Sequence, residues 1–161
     1  MAITNLFALK LVLVVGCAIV AGVFFAFSTF IMNALSRLPP AQGIAAMQSI
    51  NITVINPLFM TALFGTAAGC LWLAIAVLPK LPQPNTIYLF VGALLYIVGV
   101  IGVTIAFNIP LNDALAKVAP DSSEGSNLWA RYLIDWTFWN HIRTLTAFVA
   151  TVLLLLAKPI T

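Results

Sequence analysis

The start of the last apolar segment carries the side chains best suited to chemistry. It reads Trp136-x-x-Trp139-Asn140-His141-x-Arg143-Thr144. His141 is the chain's only histidine, and histidine changes its charge near neutral pH, so it could transfer a proton. A lone histidine is more often a hydrogen-bonded structural residue. However, ionisable residues at membrane depth often have a function, which favours a functional role for His141. Both interpretations of His141 stay open.

Arg143 lies inside an apolar run and therefore needs a partner. Asp113, Asp135 or an oxygen atom of a ligand could provide one. Helical spacing puts Trp136, Asn140 and either Thr144 or Arg143 on one face, with His141 at its flank. The same spacing predicts that Trp139 and Arg143 stack one turn apart.

Other polar residues fall at the ends of the apolar segments that an antiparallel bundle brings to the same side. Buried amides and charges need partners or water, which favours a shared polar pocket. The residues are Ser28, Asn33 and Arg37 where the first segment closes, Gln48, Asn51 and Asn56 where the second opens, Asn108 and Asn112 where the third ends, and Asn140, His141, Arg143 and Thr144 where the fourth opens.

Each of these features also has a simpler explanation. Trp129, Tyr132, Trp136 and Trp139 are typical of an aromatic belt at a membrane surface, although we expect Trp139 to line the pocket. Arg37 is better explained as an interfacial anchor. Asn108 and Asn112 flank Pro110, which we expect to end the third helix, so they could cap freed backbone groups.

The elements that position these residues follow from composition. Of the 161 residues, 63% are hydrophobic and 7% are charged, whereas soluble domains have about 25% charged residues. A membrane-spanning helix needs about 20 apolar residues. We therefore predict an all-α, integral membrane four-helix bundle that forms one transmembrane domain over residues 1–161. Its spans are approximately residues 6–35, 53–78, 86–107 and 138–157.

Proline-containing turns separate these spans, and only the third loop is long. The aromatic residues Tyr132, Trp136 and Trp139 predict a short interfacial helix there, running into the fourth span. Both termini then share one side with Lys10 and Lys80. Lysine and arginine counts nearly balance between the two sides, and we expect cytoplasmic termini in this multi-pass protein.

Several classes of function lack support in the sequence. The scattered charges, with a net charge of +3, argue against nucleic-acid binding. One histidine and two cysteines, Cys17 and Cys70, do not make an ordinary metal site within one chain, and haem ligation by His141 would lack an attachment motif. Small residues at Gly22/Ala26, Gly65/Gly69 and Gly92/Tyr96/Gly99 favour close packing within this bundle over packing against a partner.

The sequence resembles the anthrone oxygenase-like family of small four-helix membrane proteins along nearly its whole length. The most specific motif is Trp136-x-x-Trp139-Asn140-His141-x-Arg143-Thr144. Supporting patterns are Phe24-Phe25-Ala26-Phe27-Ser28-Thr29-Phe30, Met47-Gln48-Ser49-Ile50-Asn51 and Asn108-x-Pro-Leu-Asn112. The resemblance implies the fold and a possible cofactor-independent monooxygenase that oxidises anthrones with molecular oxygen, so we expect no cofactor.

If that activity carries over, the resemblance implies a role for each motif residue. His141 would be the base, and Arg143, Asn140 and Asn112 would stabilise the developing oxyanion. Phe27, Phe30 and Trp139 would form flat apolar walls. The other expected ligand-binding residues, from the polar cluster, are Asn33, Gln48, Asn51, Asn108 and Trp136.

A non-enzymatic function fits the same sequence features. The chain could be a small subunit that binds membrane lipid or a quinone, forms a homo-oligomer, or packs against a larger membrane complex. A polar pocket is expected for a ligand site and for a buried subunit contact alike. A lipophilic aromatic or quinone-like ligand favours the oxygenase, whereas a co-purifying polypeptide favours the subunit.

Overall fold

The computed structural model describes residues 2–158, including the side chains of residues 8–83 and 85–158. This part of the chain forms five helices and no strand. Helix α1 begins at Ala2 and ends at Ser36, α2 is Pro40–Thr53, α3 begins at Pro57 and ends at Lys80, α4 begins at Pro84 and ends at Ala116, and α5 is Ser123–Leu156. The all-α prediction is confirmed.

Four of these helices are long and apolar enough to cross a membrane. They are Ala8–Ser36, Pro57–Lys80, Asn85–Ala116 and Ser123–Leu156, and an apolar 18-residue stretch of each has a mean hydropathy of 2.7, 2.0, 2.5 and 1.3, respectively. Their outward faces carry large apolar side chains, such as Val12, Ile75 and Phe148, as lipid contact requires. The chain is therefore a multi-pass membrane protein with four spans.

Glycines bring the helices of the bundle close together. A Cβ atom added at Gly99 in α4 would lie 2.5 Å from the Cβ atom of Thr146 in α5, and one at Gly69 would lie 2.5 Å from Leu13 Cδ2. In contrast, a Cβ atom at Gly22 would meet nothing within 4 Å. Gly69 and Gly99 thus pack within the bundle as expected, whereas Gly22 lies on an open surface.

Helix α2 occupies a region that we expected to be a loop. Its buried residues Ile44 and Met47 join a hydrophobic cluster with Trp129 and Tyr132 of α5. Two prolines at the start, Pro39 and Pro40, indicate a turn, but a proline in the first helical turn is also a normal helix start. The apolar contacts with α5 decide the outcome.

The third and fourth spans are longer than we predicted. Helix α4 continues through Pro110 to Ala116, so the expectation that Pro110 ends this helix is wrong. The backbone just before it, Thr104–Asn108, is π-helical, and such a local change of hydrogen bonding accommodates a proline without an N–H donor. The expected interfacial helix and the fourth span are one helix, α5, whose N-cap Ser122 accepts a hydrogen bond from Gly125 N.

Candidate functional site

A cavity of about 300 Å³ lies among α1, the α2–α3 junction, α4 and α5. Its walls are mainly aromatic and aliphatic, with four polar residues among them. The aromatic and sulfur-containing residues include Phe24, Phe27, Met47, Phe59 and Trp136, and the polar ones are Asn51, Thr104, Asn112 and Arg143. An apolar cavity with a few polar groups is the usual form of a small-molecule site.

Arg143 is the only charged residue among the described residues that line this cavity, and it is 5% exposed. Its Nη2 donates to Asn140 Oδ1 at 2.8 Å, and its Nη1 donates to Thr104 Oγ1 at 3.3 Å. The guanidinium carbon lies 4.2 Å from the Phe24 ring centroid and 5.0 Å from that of Trp136. The buried Nε atom has no hydrogen-bond partner in the described chain.

Within the described residues, no carboxylate lies beside the positive charge of Arg143. No acidic residue lines the cavity within the part of the chain described, and the two expected partners, Asp113 and Asp135, are exposed. Neutral amide, hydroxyl and aromatic groups orient the guanidinium and contribute cation–π attraction, but they do not neutralise it. An anionic oxygen of a ligand would complete the site.

Asn140 holds Arg143 in place through a ring of hydrogen bonds across the α1–α5 interface. Its Nδ2 donates to Phe24 O at 2.8 Å and to Ser28 Oγ at 2.7 Å. Ser28 Oγ lies 2.9 Å from Thr144 Oγ1, which donates to Asn140 O at 2.8 Å. Because both ends of the Asn140 amide are used, its rotation is fixed, and Oδ1 faces Arg143.

Asn112 organises the opposite wall. Its Oδ1 accepts hydrogen bonds from Tyr132 Oη and Trp136 Nε1, each at 2.8 Å. The two donors come from adjacent turns of α5, so one amide oxygen on α4 fixes the orientation of both rings. Trp136 in turn contacts Phe27, with ring centroids 5.5 Å apart. Asn112, Trp136 and Phe27, all predicted site residues, therefore meet at the cavity, together with Asn51.

Two other predicted residues have structural contacts outside the cavity lining. Gln48 Nε2 donates to Leu115 O at 2.8 Å and to Val118 O at 3.1 Å, which satisfies carbonyls at the end of α4. Asn108 Nδ2 donates to Trp136 O at 3.2 Å. Asn108 Oδ1 is buried without a partner among the described residues.

The remaining predicted residues lie away from the cavity. Phe30 and Asn33 are exposed on the outside of α1. Trp139 stacks on Phe107 with centroids 3.5 Å apart, so the expected stacking of Trp139 on Arg143 is wrong. Arg143 instead reaches Trp136, two turns back along α5, because a long helical side chain leans toward the N-terminus of its helix.

His141 is exposed and lines a separate, mainly apolar groove between α1 and α5. The groove also contains Ser28 and Thr144, which belong to the hydrogen-bonded ring around Asn140. Successive residues of a helix are rotated by about 100°, so a side chain next to the buried Asn140 faces outward. His141 therefore does not reach the cavity that Arg143 lines.

Some residues of the site were missed in the sequence. Thr104 precedes Asn108 and Asn112 by four and eight positions, and this helical spacing could have identified it. Phe24 lies one turn before Phe27 and Ser28 and could have been included by the same rule. In the described part of the chain, no three His, Cys, Asp or Glu residues come together as metal ligands would.

Comparison with known proteins agrees with this architecture. A family model described as anthrone oxygenase matches residues 53–153, which is more than half of the chain. The match includes the cavity residues Thr104, Asn112, Trp136 and Arg143. No curated protein and no solved structure matches the chain.

Proposed function

The chain belongs to the anthrone oxygenase family, and we propose that it is a cofactor-independent oxygenase that oxidises a lipophilic aromatic enol or phenol. The substrate binds in the cavity with its oxygen at Arg143. One observation carries this proposal: a buried guanidinium, with no carboxylate partner among the residues that the structure describes, faces an aromatic cavity.

The cavity fits a flat ring system better than a flexible chain. Its volume of about 300 Å³ is at the lower end of small-molecule pockets, which measure roughly 300–1,000 Å³. Phe24, Phe27 and Trp136 provide aromatic surfaces on several sides. These rings pack well against fused aromatic rings, in stacked or edge-to-face arrangements.

The proposed reaction converts a ring CH₂ group and dioxygen into a ring carbonyl and water. Loss of a proton gives a delocalised anion with much of its charge on the ring oxygen. This anion passes one electron to dioxygen, and the resulting radical and superoxide combine to form a C–O bond. Protonation gives a hydroperoxide, which loses its second C–H proton and cleaves the O–O bond to release the quinone carbonyl and water.

Arg143 contributes to this sequence by stabilising the anion. A preorganised donor in a water-poor site stabilises developing oxyanion charge strongly, and its free Nε–H points to an additional acceptor. Since His141 lies outside the cavity, we propose that the proton leaves to water on the polar side, where Asn51 and Asn112 are only partly buried. Arg143 then drives ionisation, and no side chain in the cavity acts as the base.

The test is oxidation of a hydroxylated anthrone by the protein in lipid nanodiscs. Dioxygen consumption and quinone absorbance are measured together, and the rate with empty nanodiscs is subtracted because anthrones oxidise spontaneously. We expect saturable turnover with equal amounts of dioxygen consumed and quinone formed. A rate equal to that of empty nanodiscs for a panel of anthrones and naphthols would reject the oxygenase.

The groove that contains His141 supports a second candidate function. It is a largely apolar surface with Gly22 at its floor and Phe25 and Phe148 exposed, and it could bind a lipid, a quinone or a helix of a larger complex. Under this function, the chain is a non-catalytic membrane subunit. Extraction in mild detergent followed by mass spectrometry would then recover a partner polypeptide or a bound lipid, whereas an isolated chain without either would count against it.

A further inference from the structure

The cavity at Arg143 opens at an apolar part of the protein surface. Of the described residues that line it, three are exposed: Ile55 at 71%, Phe64 at 53% and Ile109 at 42%. All three are apolar. The polar residues of the lining are buried or half-buried, so the exposed part of the rim is formed by apolar side chains.

The opening exists because α3 and α4 separate toward one end. Thr66–Val77 of α3 packs against Pro84–Leu94 of α4, and Tyr96 Oη donates to Leu63 O at 3.1 Å. Beyond that contact, the remaining turns of α4 pack chiefly against α5 and α2, while the first turns of α3 pack chiefly against α1. Phe64 and Ile109 stand on the two sides of the resulting gap.

Both sides of the gap belong to helices that are long and apolar enough to cross a membrane. Phe64 is seven residues from the start of the span Pro57–Lys80, and Ile109 is seven residues from the end of the span Asn85–Ala116. At a rise of 1.5 Å per residue, each lies about 10 Å from its helix end. A molecule that leaves through this gap therefore passes between two membrane-spanning helices.

We propose that the gap between α3 and α4 is a lateral portal through which a membrane-dissolved, uncharged ligand enters the cavity, with Ile55, Phe64 and Ile109 as its rim. This proposal rests on the proposed function only for the chemical nature of the ligand. The portal selects for molecules that partition into lipid before they ionise, because an apolar rim offers nothing to replace the hydration of an anion. The ligand then becomes anionic at Arg143.

The portal can be tested without a substrate, by measuring how fast thiol reagents reach a cysteine in the cavity. In a background with Cys17→Ala and Cys70→Ala, Thr104→Cys places one thiol on the cavity wall. The protein in lipid nanodiscs is treated either with pyrene maleimide, which dissolves in lipid, or with a sulfonated maleimide, which does not. Leu63→Cys in the same background serves as a second reporter if the first variant does not fold, since Leu63 lines the cavity and is buried.

We expect pyrene maleimide to label the cavity thiol faster than the charged reagent does. Adding Ile109→Phe should slow that labelling by about tenfold, which corresponds to a modest rise in the entry barrier, and Phe64→Ala should accelerate it. The matched control is Ile75→Phe, since Ile75 is 63% exposed on α3 but does not line the cavity. It should leave the rate unchanged.

Three results would overturn the portal: faster labelling by the charged reagent, no labelling at either reporter position in folded protein, or equal effects of Ile109→Phe and Ile75→Phe. The oxygenase assay gives an independent answer. Failure to oxidise any anthrone, combined with labelling that depends on Ile109, would reject the proposed function and leave the lateral portal standing.

Discussion

Replacement of Arg143 by methionine separates the use of its charge from its contribution to folding. In the wild type, the guanidinium makes a hydrogen bond of 2.8 Å to Asn140 and a longer one of 3.3 Å to Thr104. Both partners are neutral. We therefore expect Arg143→Met to lose most of the activity without a loss of stability.

The expected stability of Arg143→Met follows from two opposing contributions to the free energy of unfolding. Arg143→Met leaves Asn140 Oδ1 without its donor, which costs about 1–3 kcal/mol. It also removes a buried cation that no carboxylate among residues 8–83 and 85–158 compensates, and burying such an ion costs several kcal/mol. Methionine keeps an apolar chain of similar length against Phe24 and Trp136. The sum is near zero or favours the variant.

The expected effect of Arg143→Met on activity is large and is always a decrease. Loss of one preorganised donor to a developing oxyanion typically lowers kcat by about 10²–10³-fold. Arg143→Lys keeps the charge but loses the planar arrangement of donors, so its rate should fall between those of the wild type and Arg143→Met. Turnover of a hydroxylated anthrone in nanodiscs gives these rates, and unfolding in dodecyl sulfate followed by circular dichroism gives the stabilities.

Two outcomes would refute this reasoning. Wild-type turnover by Arg143→Met would show that the charge does not act on the substrate. Strong destabilisation of Arg143→Met, with Arg143→Lys at wild-type stability, would show that the charge is compensated in the folded protein and is therefore structural.

Three further predictions test the placement of individual side chains. His141→Ala should keep the wild-type turnover rate because His141 lies in the outer groove. Removal of a general base typically lowers the turnover rate by roughly 10²–10⁴-fold, so a decrease of that size would identify His141 as the base. Gly99→Val should lower the free energy of unfolding by about 1–3 kcal/mol, since its Cβ would lie 2.5 Å from Thr146 Cβ. Gly22→Val, with open space around it, should leave that free energy unchanged. Equal midpoints of unfolding in dodecyl sulfate for the two variants would contradict the packing of Gly99. Asn112→Leu should destabilise the protein by about 1–3 kcal/mol for each donor that it leaves unpaired. Adding Tyr132→Phe removes one of those donors and should restore part of the lost stability in the same unfolding assay. If the stability effects of the two substitutions are purely additive, the hydrogen bond to Tyr132 contributes nothing.

The sequence was sufficient to predict the fold but not the ends of its helices. Long apolar runs identify the spans because the hydrocarbon layer requires helices of that length. Helix α2 and the continuation of α4 past Pro110 depend on tertiary contacts and on local π-helical backbone. A proline indicates a helix end only if no neighbouring turn can absorb its missing hydrogen bond.

The sequence indicated which types of residue form the site, but not which of their side chains face the cavity. Asn140, Arg143, Asn112 and Trp136 were expected to meet, and they do. His141 and Trp139 flank Asn140 in the sequence, yet both lie outside the cavity, since a rotation of about 100° per residue separates neighbours. Which of three adjacent polar residues faces inward depends on how α5 packs against α1, and the spacing of Trp136, Asn140 and Thr144 alone does not determine that rotation.

The absence of a carboxylate beside Arg143, in the part of the chain that the structure describes, is the feature that links this packing to chemistry. A carboxylate in the cavity would stabilise the buried cation and would also compete with an anionic ligand for it. The ring formed by Asn140, Ser28 and Thr144 orients the guanidinium with neutral groups only. The protein thereby retains an uncompensated charge at a cost in stability, and that charge remains available to an oxyanion in the cavity.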